Sequence, residues 1–406
     1  MIEAEKTLDF LINRGYIEQV THYEELKEKM EADQITFYVG IDPTADSLHI
    51  GHFMVLMLAK RLQEAGHRPI LLIGGGTASI GDPSHRNDMR KMLSEEDLEK
   101  NVKGIKRQIE KFVNFEGKNG AILVNNKDWL GNLNYLEFMR NIGVYFNMND
   151  MLRMEAYKSR LEKGLTFFEF GYMPLQAYDF LVLNEKHNCT LQMGGNDQWS
   201  NVIAGVDLIR KKTQKEAFGF TIKLLTKKDG TKMGKTAGGA LWLDENKTTP
   251  FEFYQYWRNI DDEEIEKIFR LLTFEKDEDI QKYMSIEDIN EIKKILAFKV
   301  TEVIHGTKEA KKAEEAAISL FEGGNNLDGI EKIEIKKGTK LVELLKILEI
   351  SSSNGEAKKL IKGNAISIND EKISDINLEL NDDLKDNEGK IIFKKGKNYF
   401  RNIILK

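Results

Sequence analysis

Thr36-Phe37-Tyr38-Val39-Gly40-Ile41-Asp42-Pro43, followed by His49-Ile50-Gly51-His52, is the stretch whose reading decides the fold. The first six residues are β-prone. Asp42-Pro43 ends that run, because proline cannot continue a central strand. From Ile50 the apolar residues Phe53, Met54, Met57, Leu58 and Leu62 recur at helical spacing, and Gly66 with Pro69 beyond it closes the helix. Pro69-Ile70-Leu71-Leu72-Ile73 then reads as a second strand. The whole is a β-α-β unit with two histidines where its helix begins. Backbone N–H groups and the helix dipole favour an anion there, and Gly51 puts no side chain in a ligand's way.

Lys232-Met233-Gly234-Lys235-Thr236 is the second informative motif. It lies in a Gly- and Lys-rich stretch, Lys227 to Gly239, that has no apolar periodicity and reads as a mobile loop. Two lysines three apart on such a loop can clamp the charge that builds on a polyphosphate during transfer. Together the two motifs resemble the HIGH and KMSKS signatures of class I aminoacyl-tRNA synthetases. Gly234 and Thr236 replace the two serines of the second signature, and both lysines are kept.

The resemblance narrows at Tyr172-Met173-Pro174-Leu175-Gln176-Ala177-Tyr178-Asp179 and at Gly194-Gly195-Asn196-Asp197-Gln198, which look like the amino-acid pocket motifs of bacterial tyrosyl-tRNA synthetases. It runs over essentially the whole chain. It implies that Tyr38 and Asp179 meet a substrate phenol hydroxyl, and that Tyr172, Gln176 and Gln198 hold the ammonium and carboxylate ends. Asn126 and Asp82 would flank the phenol side and the ammonium side. It further assigns ATP to Gly40, Asp42, His49, Gly51, His52, Gly195, Asp197 and Lys235. Thr44, His49 and His52 would contact its phosphates, and Lys232, Lys235, Arg86 and Arg90 would close over the pyrophosphate. The physics agrees at the phenol, whose O–H donates once and accepts once, so a carboxylate and a hydroxyl satisfy it. Asp179 precedes Phe180-Leu181-Val182-Leu183, an apolar setting in which an unpaired charge is costly.

The chain has 406 residues, 41% hydrophobic and 31% charged, long enough for two or three domains. No stretch approaches the roughly 20 apolar residues of a membrane span, and Met1 to Asp9 has acidic residues rather than the apolar core of a signal peptide. The single cysteine, Cys189, excludes an intramolecular disulfide and fits a cytoplasmic protein. The histidines do not cluster with cysteine at metal spacing, so no structural metal is expected. Net charge is −6, yet residues 331–406 carry 16 Lys/Arg against 13 Asp/Glu, an asymmetry that points the C-terminal part at a polyanion.

The expected architecture is α/β: a doubly wound parallel-sheet, Rossmann-like catalytic domain over residues 1–225, with a helical insertion at about 130–188. Strands are read at Ala121–Val124, Cys189–Met193 and Phe220–Leu224. The resemblance gives the insertion to a homodimer interface. An α-helical, anticodon-side domain over 226–322, a linker at 323–334 and a small α+β domain over 335–406 follow. The last looks like an S-four-type RNA-binding domain, with helices from Leu341 and over Glu356–Lys362, the latter capped by Gly363. Ser351 to Asn354 and Lys358/Lys359 stand where that domain usually has arginines. The tail Lys394–Arg401 interleaves aromatics with cations, a pattern suited to base stacking.

The implied function is tyrosine–tRNA ligase, with ATP, Mg2+, tyrosine and tRNA(Tyr) as substrates and partners. A small-molecule nucleotidylyltransferase would leave the Gly194–Gln198 motif and the basic tail without a reason. A catalytically idle RNA-binding descendant would not need His49, His52, Lys232 and Lys235 together. Nicotinamide binding is excluded, since Gly74-Gly75-Gly76 is followed by Ser79 where a dinucleotide fingerprint needs its third glycine.

Overall fold

The computed structural model describes residues 7–84, 93–236, 239–322, 329–387, 389–396 and 399–406. The chain divides into two compact units, Met1–Gly234 and Lys235–Lys406.

The first unit is built on six strands: β1 (Ile17–Val20), β2 (Thr36–Ile41), β3 (Arg68–Ile73), β4 (Ile122–Asn125), β5 (Cys189–Gly195) and β6 (Phe218–Ile222). Their order is β1-β6-β5-β2-β3-β4. Neighbours are parallel except β1, which runs antiparallel along β6. From β2 the chain winds to one side through β3 and β4, then returns to the other through β5 and β6. The topological switch therefore lies between β2 and β5, beyond whose carboxyl ends a sheet of this kind binds its ligands. Phe37, Tyr38, Val39, Ile41 and Ile70 to Ile73 are all buried, as strands covered on both faces require. Ile17-Glu18-Gln19-Val20 is short and half polar, which suits an edge but gives no periodic signal. The last sheet strand begins at Phe218, two residues before the expected Phe220.

The helix Ile50–Glu64 follows β2 and buries Phe53, Met54, Met57, Leu58 and Leu62, the face its spacing predicts. Between β4 and β5 the insertion is helical, ending in Tyr172–His187. That helix joins the core with Ala177, Phe180, Leu181 and Leu183, in a cluster that includes Tyr38 and Ile70. Residues 225–233 form a hydrogen-bonded turn rather than a structureless loop. Lys227 N–H donates to the Thr231 carbonyl at 2.8 Å and Met233 N–H to that of Leu225 at 2.9 Å.

In the second unit β7 (Lys235–Thr236) pairs antiparallel with β8 (Gly239–Ala240). The helix Pro250–Arg258 follows, with Pro at its first turn and a Thr249/Glu252 capping box. A long helical stretch, Ile289–Glu322, breaks at Gly306, whose φ of 81° and ψ of 163° only glycine holds easily. Half of the expected linker at 323–334, residues 323–328, lies outside the described residues, and its far end already belongs to the strand Lys332–Ile335. A second sheet follows in the order β11-β10-β12-β13-β9, from β9 (Lys332–Ile335), β10 (Ile366–Ile368), β11 (Glu371–Lys372), β12 (Ile392–Lys395) and β13 (Tyr399–Leu405). Helices Leu341–Ile347 and Asn354–Lys362 cover it.

Gly363 caps the helix Asn354–Lys362 at φ −79°, and the left-handed residue after it is Asn364, with φ 53°. One local expectation is corrected here: the described residues of the tail do not form a stacking strip. Phe400 is buried, edge-on to Phe251 at 5.4 Å, and Lys394 is buried in an ion pair with Asp370. Arg401 donates to Glu252 at 2.6 Å and pairs with Glu331 at 3.0 Å. These side chains hold the unit together instead of meeting an RNA base.

Candidate active site

Tyr38 stands in the middle of β2, in register with Gln192 of β5, the two strands that flank the switch point. It is 2% exposed, and its hydroxyl has no hydrogen-bond partner among the described residues. Burial, and after it the charge of Asp179, raise its pKa well above the ordinary phenol value, so it remains a neutral donor. An orphaned buried hydroxyl costs about 1–3 kcal/mol and marks a place where a ligand atom belongs.

Asp179 projects from the helix Tyr172–His187 and is likewise buried. It accepts from Asn126 Nδ2 at 2.9 Å and from Trp129 Nε1 at 2.7 Å. Burial pushes its pKa up to about 7 against those two bonds, which act to lower it. Asn126 also donates to Thr77 Oγ1 at 3.0 Å, and its Oδ1 accepts from Gly76 N–H at 2.7 Å. Thr77 donates onward to Asp42 at 2.9 Å, whose other oxygen accepts from the Tyr172 hydroxyl at 3.0 Å. One continuous polar chain thus runs from Asp179 to Tyr172.

A second group is a cluster of amides. Gln176 Nε2 donates to Gln198 Oε1 at 3.2 Å, and Asn201 Nδ2 donates to both Gln176 and Gln198 at 3.1 and 3.0 Å. Gln198 Nε2 donates to Asp82 at 2.5 Å, and Asp82 also accepts from Ser84 N–H at 2.8 Å. The amides carry both donors and acceptors, so the cluster can meet an ammonium and a carboxylate side by side.

At the start of the helix Ile50–Glu64, His49 Nδ1 accepts from Gly51 N–H at 3.0 Å and His52 Nδ1 accepts from His49 N–H at 3.3 Å. The rings lie 4.1 Å apart between centroids. An accepting Nδ1 leaves the ring proton on Nε2, which becomes a donor suited to a phosphate oxygen. Burial, and then the nearby charge of Lys232, hold the His49 pKa below its ordinary value. Gly51 also has a reason beyond ligand access: a Cβ there would stand 2.9 Å from His49 Cε1. Thr44 is exposed, its N–H bonded to the Asp42 carbonyl at 2.8 Å, and Gly40 is exposed at the end of β2. Gly195 ends β5, and Asp197 follows in a single 3-10 turn.

The first unit thus gathers Asp179, Asn126, Asp42 and Tyr172 in one network, with the unpartnered Tyr38 hydroxyl under the influence of Asp179, and Gln176, Gln198 and Asp82 in another, with Lys232 near His49. Lys235 belongs to the second unit, and Arg86 and Arg90 lie outside the described residues. Sequence reading assigned no role to Trp129, Thr77, Asn201 or Gln192. Asn201 was findable, three residues after Gln198 where a helix begins. Gln192, whose buried Oε1 is unpartnered, is visible only through its register with Tyr38.

The family model for class I tRNA synthetases of the tryptophan and tyrosine type matches residues 30–322, and that for a tyrosine–tRNA ligase C-terminal domain matches 322–403. The tyrosine–tRNA ligase of Clostridium kluyveri is 53% identical over 98% of this chain and 99% of its own length. That of Clostridium tetani is 52% identical over 98% of both. Among solved structures, a C-terminally truncated mitochondrial tyrosyl-tRNA synthetase of Aspergillus nidulans superposes with a TM-score of 0.71 at 27% identity, over 78% of this chain and 94% of that one.

Proposed function

The chain belongs to the class I tRNA synthetases of the tryptophan and tyrosine type and acts as a tyrosine–tRNA ligase, and from that premise we propose how its residues divide the reaction. The carrying observation is the orphaned Tyr38 hydroxyl beside a buried carboxylate, Asp179. A tyrosine phenol donates to Asp179 and accepts from Tyr38, which completes both. Phenylalanine leaves the Tyr38 hydroxyl unpaired and gives Asp179 no bond beyond those from Asn126 and Trp129, a penalty that its own burial does not offset. This enzyme family is the standard worked example of such discrimination.

The ammonium and carboxylate of tyrosine rest among Tyr172, Gln176, Gln198 and Asp82. Adenosine lies across the switch point along Gly40, Asp42, Gly195 and Asp197. Tyrosine's carboxylate, already ionised, attacks the α-phosphorus in line, the bond to pyrophosphate breaks, and the adenylate's tyrosyl group then passes to the 3′ ribose of tRNA. No protein base is required, so catalysis rests on positioning and on electrostatic stabilisation. Thr44 and the two imidazoles hold phosphate oxygens from the start of the helix, and Lys232, Lys235, Arg86 and Arg90 neutralise the departing pyrophosphate. Mg2+ enters as part of the ATP substrate, bound by its phosphates. Pyrophosphate exchange measured with each of the twenty amino acids tests this reading. Exchange driven as well by any amino acid other than tyrosine removes it.

Tyr38→Phe deletes one hydroxyl and little volume. It is expected to lower kcat/KM for tyrosine by about 0.5–1.5 kcal/mol and to leave phenylalanine activation unchanged or slightly improved. Equal losses for both amino acids would show that the hydroxyl does not read the phenol.

We assign the boundaries 1–225, 226–322 and 335–406 to the catalytic, anticodon-side and RNA-binding parts, in a cytoplasmic homodimer. No helix among the described residues is long and apolar enough to cross a membrane. Support for a dimer comes from Tyr135, Leu136, Val144, Met148 and Phe167, all 59–75% exposed and all in the insertion. Val144→Glu combined with Leu136→Glu is expected to give monomers in analytical ultracentrifugation. Unchanged dimers would place the interface elsewhere.

A further inference from the structure

The helix Glu95–Phe112 turns one face to the loop Pro43–Leu48, which joins β2 to the paired histidines. Three residues of that face touch the loop. Asn101 Nδ2 donates to the Pro43 carbonyl at 2.9 Å. Gly104 lies so close that a Cβ there would stand 2.0 Å from the Asp46 carbonyl oxygen. Gln108 Oε1 accepts from Leu48 N–H at 2.7 Å, and its Nε2 donates to Ser47 Oγ at 3.0 Å. Asn101, Gln108, Ser47 and Leu48 are all buried, so these bonds are sheltered from water. The spacing of three and then four residues sets all three side by side on the helix.

We propose that Asn101, Gly104 and Gln108 are positioning residues for adenylate formation, fixing the loop that carries Thr44 and delivers His49. The proposal rests on the roles given above to Thr44 and His49. Bonds inside the loop, such as Thr44 N–H to the Asp42 carbonyl, span a residue or two and cannot set its place against the sheet. The three contacts reach across 58 to 61 residues of sequence and can. Leu48 immediately precedes His49, so a shift at its N–H moves the imidazole. A displacement of about 1 Å in a phosphate-binding group can cost on the order of 100-fold in rate. Tyr38 and Asp179 sit on β2 and on the helix Tyr172–His187 and receive none of these bonds. Tyrosine affinity and activation rate should therefore separate.

The test uses full-length Gln108→Ala, Gly104→Ala, Gln108→Glu, His49→Ala and the double variant Gln108→Ala/His49→Ala, followed by single-turnover adenylate formation and by equilibrium tyrosine binding. Gln108→Ala removes the bonds and Gly104→Ala pushes the loop away. Each is expected to slow activation about 10- to 100-fold, with tyrosine Kd changed less than about twofold. Gln108→Glu, whose carboxylate still accepts the Leu48 N–H, should recover most of the rate. Once His49 is absent, Gln108→Ala should cost less than about twofold more, the non-additivity of residues that act through one another. Should Gly104→Ala fail to fold, Gln108→Ala, which adds no volume, carries the test. Wild-type activation in Gln108→Ala with His49→Ala impaired overturns the positioning role. Parallel loss of tyrosine affinity also overturns it, since general loosening moves both. Wild-type activation in His49→Ala removes the underlying assignment of the histidine, and the proposal with it.

Discussion

Asp179→Ala is expected to cost tyrosine about 3–5 kcal/mol in kcat/KM, from the lost charged hydrogen bond and from donors left unpaired. Those donors are Asn126 Nδ2 and Trp129 Nε1, now held at 2.9 and 2.7 Å. Phenylalanine loses no phenol bond, so its kcat/KM should fall far less and discrimination should collapse. The same residue predicts a pH dependence. Burial lifts its folded-state pKa to about 7, above the ordinary carboxylate value of 3.8. The neutral carboxyl therefore favours the folded chain fully below about pH 4, and that contribution fades as pH rises towards 7. A phenol donor requires the ionised form, so tyrosine should bind tighter as pH climbs from 6 to 8, with release of a proton on binding below 7. Asp179→Asn should abolish this limb and should melt higher than the parent at pH 8 but not at pH 4. A limb that survives in Asp179→Asn would assign it to another group.

Lys232→Ala is expected to slow adenylate formation by about 2–4 kcal/mol of activation free energy while leaving tyrosine affinity nearly unchanged. Lys235→Ala should behave alike, since the two lysines share the motif. The structure adds a second readout for Lys232, whose charge helps hold the His49 pKa down. Removing that charge should raise the His49 pKa towards its ordinary value, followed through its imidazole resonances in an NMR titration. Wild-type activation rates in both variants, with an unmoved His49, would end the clamp assignment.

Much of the first unit was legible because its signals are local. The strand Thr36–Ile41, the helix from Ile50 and the strand to Ile73 each announce themselves within a dozen residues by apolar period and by punctuation from Pro43 and Gly66. The antiparallel strand Ile17–Val20 was missed because four half-polar residues at an edge carry no period. The tail was misread because its composition of Lys, Tyr, Phe and Arg is the same whether the side chains meet RNA or pack inward. Burial of Phe400 and the ion pairs of Arg401 with Glu252 and Glu331 decide for the second.

By itself the sequence determined the fold class and, through the resemblance carried by its two signatures and two pocket motifs, the enzyme family. Tertiary structure alone decided which side chains support those motifs. The Tyr172 hydroxyl finds Asp42 across 130 residues, Asn126 finds Asp179 across 53, and Gln108 finds Leu48 across 60. Such pairings are set by the order in which strands enter the sheet and by the face each helix turns to it. No local pattern encodes them, because only a folded sheet brings those residues within hydrogen-bond reach.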